Sequence, residues 1–119
     1  MSDWITVVDD DTSNLRMASR ILGAEGMRVS ALRSGEELLE FLQANHPDLI
    51  LLDVHMTGMD GFETMASLKE NAGMMNIPVI FLTADDDADT ETRSLSAGGM
   101  DFIRKPFVPE VLLLRRIHW

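Results

Sequence analysis

The chain is expected to fold as an α/β protein, a doubly wound five-stranded parallel sheet with helices on both faces. Three features predict this. Short apolar runs alternate five times with longer amphipathic segments, the pattern of repeated strand–helix units. One run, Leu49-Ile50-Leu51-Leu52, is apolar throughout, as a strand covered on both faces must be. Several runs also end abruptly in an acid or a hydroxyl, as strands do when a polar site lies at one edge of the sheet. Right-handed crossovers then leave few topologies.

Trp4 to Val8 is the first apolar run, closed by Asp9-Asp10-Asp11. Thr12 or Ser13 is placed to cap a helix carrying Leu15, Ala18, Ile21 and Leu22 on one face, and Gly23 and Gly26 end it. Met27 to Leu32 is a second, less apolar strand. Ser34 caps the next helix, with Glu37 completing a capping box. That helix puts Leu38, Leu39 and Leu42 on one side and stops at Asn45-His46-Pro47. Leu49 to Leu52 is the third strand, closed by Asp53. Met56 to Gly61 is loop-like, after which Phe62, Met65 and Leu68 have helical spacing as far as Asn71-Ala72-Gly73. Ile77 to Leu82 is the fourth strand, followed by Thr83. Asp85 to Ser96 is an acidic helix with a mostly wet face, ended by Ala97-Gly98-Gly99. Phe102 and Ile103 make a short fifth strand running into Arg104-Lys105-Pro106. Val108 to Ile117 is a last helix, with Val111, Leu112 and Leu114 turned to the core.

The 119 residues suit one domain with one core, residues 1–119, without repeats or linkers. Twenty acidic against ten basic residues give a net charge of −10, which disfavours direct binding to nucleic acid or to an anionic membrane. The chain has no cysteine, so disulfides, thiolate metal sites and a cysteine nucleophile are excluded, and a reducing cytoplasm is compatible. Met1-Ser2-Asp3-Trp4 lacks the basic start of a signal peptide. No apolar stretch approaches the roughly 20 residues that span a bilayer.

Ligands of an open doubly wound sheet bind beyond the carboxyl ends of its strands. Asp9, Asp10 and Asp11 follow the first strand, Asp53 the third, Thr83-Ala84 the fourth and Lys105-Pro106 the fifth. Taken singly these are ordinary residues: an acidic run after a strand commonly makes a turn and a helix cap. Their joint occurrence at the ends of separate strands is the signal. Clustered carboxylates repel, and a hard divalent cation offsets the repulsion; oxygen-only ligands suit Mg²⁺, or Mn²⁺. Lys105 adds a positive point charge and Thr83 a hydroxyl donor. A carboxylate nucleophile, a cation, a lysine and a hydroxyl together describe a phosphoryl site.

These residues closely resemble the response-regulator receiver (CheY-like) family of two-component signal transduction. The resemblance covers Ile5 to about Ile117. It is carried by Val7-Val8-Asp9-Asp10, by Leu51-Leu52-Asp53, by Met56-Thr57-Gly58-Met59-Asp60-Gly61, by Phe81-Leu82-Thr83-Ala84 and by Lys105-Pro106-Phe107. It implies a flavodoxin-like (βα)5 fold with strand order 2-1-3-4-5. It implies Asp53 as the aspartate phosphorylated by a sensor histidine kinase or phosphotransfer protein, with Mg²⁺ held by Asp10, Asp53 and the backbone carbonyl of His55, and by Asp9 through water. Lys105, in a cis peptide bond to Pro106, would contact the phosphoryl group. Thr83 would move inward onto it, and Phe102 would rotate with Thr83 as the switch aromatic, unless it is plain core. The fourth helix, fifth strand and fifth helix would form the readout face and a phosphorylation-dependent homodimer contact. Such a domain is a signalling switch that catalyses only its own phosphoryl transfer and dephosphorylation.

The chain departs from the family at Thr57, where a proline is usual, in the acidic Asp85-Asp86-Asp87, and in its early end at Trp119, which fits a single-domain regulator or a receiver excised from a longer protein. Two other readings compete. Asp9 and Asp11 form the Asp-x-Asp of haloacid-dehalogenase phosphohydrolases, but that reading leaves Asp53 without a role. A receiver-like module that is never phosphorylated would not need Asp9, Asp10, Asp53, Thr83 and Lys105 together.

Overall fold

A computed structural model describes residues 3–71, 76–83, 88–99 and 101–104. The strands are β1 (Trp4–Val8), β2 (Arg28–Leu32), β3 (Leu49–Asp53), β4 (Val79–Thr83) and β5 (Asp101–Arg104), and the helices are α1 (Thr12–Ala24), α2 (Gly35–Phe41), α3 (Gly61–Lys69) and α4 (Ala88–Ser96). All four strand pairings are parallel, and the sheet order is β2-β1-β3-β4-β5. The expected α/β sheet and its order are therefore both present. The predicted last helix, Lys105-Pro106, Asp85-Asp86-Asp87 and Trp119 lie outside the described residues.

Strand alternation sorts the core into two layers. Ile5 and Val7 of β1, Leu49 and Leu51 of β3, and Ile80 and Leu82 of β4 pack with Leu15, Ala18 and Leu22 of α1. Val8, Ile50, Leu52, Val79 and Phe81 point the other way, onto Leu38 of α2 and Met65 and Leu68 of α3. β3 and β4 are buried at every position, which explains their unbroken apolar runs. Each aliphatic side chain buried in this way contributes about 1.5–3 kcal/mol before entropy is counted.

The helix ends depart from the sequence expectation in instructive ways. The cap of α1 is Asp11 rather than Thr12 or Ser13: its side chain accepts from the Ser13 N–H at 2.9 Å, and Thr12 is already helical. α1 runs past Gly23 to Ala24 and is capped by Glu25; Gly26, just beyond the cap, has a φ of 82° in the left-handed region that glycine tolerates best. Ser34 caps α2 as expected, accepting from the Glu37 N–H at 3.0 Å. The Glu37 carboxylate, however, accepts from the Arg33 N–H at 3.4 Å, one residue before the cap. The reciprocal capping box lies instead on α3. There Asp60 accepts from the Glu63 N–H at 2.8 Å and Glu63 accepts from the Asp60 N–H at 3.2 Å. β4 begins at Val79, two residues later than Ile77, because Pro78 has no N–H to give; its carbonyl still accepts from the Ile50 N–H at 3.0 Å.

Candidate functional site

β1 and β3 are the central neighbours of the sheet, in register Val8↔Leu52. One residue further along, this register sets Asp9 beside Asp53 at the carboxyl edge, and alternation turns both toward the α1 side. Asp9 is 1% exposed and Asp53 3% exposed, whereas Asp10 is exposed to solvent. One carboxylate oxygen from each of Asp9, Asp10 and Asp53 lies within 4.8 Å of the others. Two unit charges at such a separation repel by about 4 kcal/mol at the effective dielectric of a protein surface. A donor set made of oxygen alone suits a hard divalent cation.

Hydrogen bonds hold the cluster together. Asp9 Oδ1 accepts from the Asp11 N–H at 2.9 Å, and Asp9 Oδ2 from Asn14 Nδ2 at 3.1 Å. Asp10 Oδ2 accepts from the backbone N–H of Thr57 at 2.9 Å, across 47 residues of sequence. The loop that carries Thr57 is tied down at both ends. The Val54 N–H donates to Leu82 and the Gly61 N–H to Val54, each at 2.9 Å. The Asp60–Glu63 box then fixes the start of α3. Gly61 is required there: a Cβ at this position would collide with the Asp53 carbonyl and lie 2.9 Å from Val54 Cα. The first turn of α3 therefore presses directly on the backbone that carries Asp53.

Thr83 is the last residue of β4 and is fully buried. With Leu82 paired to Asp53, it stands one step beyond Asp53 at the same edge. Phe102 pairs with Phe81 and is half-buried against the α2–α3 layer, so alternation puts it on the same sheet face as Thr83. β5 ends at Arg104, immediately before Lys105. His55 is exposed in the loop after β3. The structure thus brings Asp9, Asp10, Asp53 and Thr83 to one edge, while Lys105 lies outside the described residues. Asn14, the Thr57 N–H and Gly61 were not expected. Asn14 hides in an ordinary helical stretch, and a backbone donor leaves no mark on side-chain pattern. Only the glycine of the Asp60-Gly61 pair hinted at close backbone approach.

Comparison with known proteins shows the family of this fold. The family model of the response regulator receiver domain matches residues 5–116. The response regulator PleD of Caulobacter vibrioides is 39% identical over 118 residues, 99% of this chain but 26% of that protein. The heme response regulator HssR of Staphylococcus epidermidis is 38% identical over 109 residues, 92% of this chain and 47% of that protein. The chain thus spans between a quarter and a half of these curated relatives. Among solved structures, the chemotaxis protein CheY4 of Vibrio cholerae superposes with a TM-score of 0.90 at 28% identity, covering 99% of this chain and 98% of that one. The chain belongs to the response regulator receiver family, the CheY-like switches of two-component signalling. Its cluster of Asp9, Asp10 and Asp53 stands where such a domain needs one.

Proposed function

We propose that this domain takes a phosphoryl group onto Asp53 from a sensor histidine kinase or a phosphotransfer protein, and that the modification switches the face around α4 and β5. The observation that carries this reading is the convergence of Asp9, Asp10 and Asp53 oxygens within 4.8 Å at the strand ends, with Thr83 buried at the same edge of the sheet. An oxygen of the Asp53 carboxylate attacks phosphorus, the bond from phosphorus to the donor's imidazole nitrogen breaks, and an aspartyl phosphate results.

The all-oxygen donor set fits Mg²⁺ or Mn²⁺. Asp10 and Asp53 would bind the ion directly, with the His55 carbonyl, and Asp9 would do so through water. When bound, the ion supplies charge neutralisation at the transferring phosphoryl oxygens. The chain supplies the rest. Lys105 pairs with a phosphoryl oxygen, and the Thr83 hydroxyl donates a hydrogen bond to another. As Thr83 moves in, Phe102 on the same sheet face turns inward. The readout surface combines α4, β5 and the segment predicted as the last helix, and it is the proposed contact of a phosphorylation-dependent homodimer. The net charge of −10 argues against direct nucleic-acid binding by this domain. No helix among the described residues is long and apolar enough to cross a membrane, in keeping with the proposed cytoplasmic site of action. Residues 1–119 act as one receiver, on their own or within a longer regulator.

The stoichiometry of labelling tests the proposal. With a small acyl-phosphate donor and Mg²⁺, label rises to one phosphoryl group per chain and a chelator prevents it. Continuous phosphate release that survives Asp53→Asn would instead indicate a phosphohydrolase. That outcome is disfavoured by the capping role of Asp11, the second acid of the Asp-x-Asp pair.

A further inference from the structure

We infer that the backbone N–H of Thr57 is a positioning group for the cation site: it holds the Asp10 carboxylate inside the acidic cluster before a cation arrives and so sets the cation affinity. This inference deepens the proposed function and rests on its reading of Asp9, Asp10 and Asp53 as the cation site.

Asp9 and Asp53 are kept in place by burial, but Asp10 is exposed. Repulsion from two neighbouring carboxylates would turn a free Asp10 side chain out to water, where solvation is better. The Thr57 N–H counters that tendency with a 2.9 Å hydrogen bond to Oδ2. A bond to an ionised acceptor is among the stronger kinds, and the amide dipole brings partial positive charge into an acidic cluster. It does not compete with the cation, because an ionised carboxylate has about four acceptor sites and this bond takes one. The donor itself is well supported. Thr57 lies between β3, which ends at Asp53, and the Asp60–Glu63 box, and Gly58 next to it turns the chain at φ 80°. The same bond joins the loop after β1 to the loop after β3, so the two halves of the site are fixed relative to each other.

The exposed Thr57 side chain has no part in this, so two substitutions separate backbone from side chain. Thr57→Ala keeps the N–H, and Thr57→Pro removes it. Mg²⁺ binding to the full chain, without any phosphodonor, is measured by titration calorimetry. Thr57→Ala is expected to bind as the parent does. Thr57→Pro is expected to bind about three- to tenfold more weakly, the range set by ordering one side chain. Equal or tighter binding by Thr57→Pro, or equal weakening in both variants, overturns the inference. Because proline also stiffens the loop, amide exchange in the unsubstituted chain gives a second readout. The Thr57 N–H should be protected in the cation-free protein and lose protection in Asp10→Ala; exchange at the free-peptide rate overturns the inference. A parent chain that binds no Mg²⁺ or Mn²⁺ at millimolar concentration overturns the cation site itself, and this inference with it, and is thereby distinguished from a failure of Thr57 alone.

Discussion

Thr6 sits at the middle of β1 with its hydroxyl fully buried and without a hydrogen-bond partner among the described residues. A buried hydroxyl left unpaired carries a desolvation cost that an apolar group of the same shape avoids. Thr6→Val is therefore expected to raise stability by about 1 kcal/mol, seen as a higher urea midpoint at unchanged slope. A lower midpoint would mean that the hydroxyl has a partner after all. Gly61 makes the opposite case. The space a Cβ would need is filled by the Asp53 carbonyl, so Gly61→Ala must push α3 off the strand end. Overpacking of this kind costs about 1–3 kcal/mol, and here it should also weaken Mg²⁺ binding, because the displaced backbone carries Asp53. Loss of stability with full Mg²⁺ affinity would show that the site does not depend on this contact.

At the scale of elements, what holds α1, α2 and α3 is a short polar device at the start of each and buried apolar residues along its length. Asp60→Ala removes one arm of the capping box on α3 and should cost about 1 kcal/mol in chemical denaturation; no loss would mean that packing alone starts the helix. The Arg93 guanidinium of α4 lies 4.3 Å over the Phe62 ring of α3, and Phe62 in turn is 5.2 Å from Phe81 of β4, so the contact ties α4 to α3 and, through the aromatic pair, to the sheet. Arg93→Ala should speed amide exchange in α4 while global stability falls by no more than about 1 kcal/mol. Unchanged exchange in α4 would remove that contact from consideration.

These elements also mark what the sequence could convey. The run 49–52 announces a doubly buried strand because apolar composition and strand length speak together, while the fourth run reads only as a strand and its burial at every position emerges from the structure. The acids closing the runs mark the strand-end edge at which Asp9, Asp10 and Asp53 come together. The Asp11 cap is missed because Thr12 and Ser13 are equally good cap residues, and only backbone geometry tells three adjacent candidates apart. The Asp60–Glu63 box follows a local rule, yet Gly58 and Gly61 make the same stretch look like loop. The bond from Thr57 to Asp10 joins residues 47 apart through a backbone donor, so no pattern of side chains can report it.

Across the whole molecule, a single parallel sheet gathers chemistry from distant parts of the chain. Asp9 and Asp10 follow β1, Asp53 closes β3, Thr83 closes β4, and β5 runs out toward Lys105. Two apolar layers keep the strands in register behind that edge, so the carboxylates are held close despite their repulsion. Phosphoryl acceptance at Asp53 is tested most directly by intact-mass measurement after incubation with Mg²⁺ and a small acyl-phosphate donor. The mass should rise by one phosphoryl group in the parent chain and stay unchanged in Asp53→Asn. A parent chain whose mass never changes under any donor, or an Asp53→Asn chain that gains the same group, would contradict the assignment of Asp53 as the acceptor.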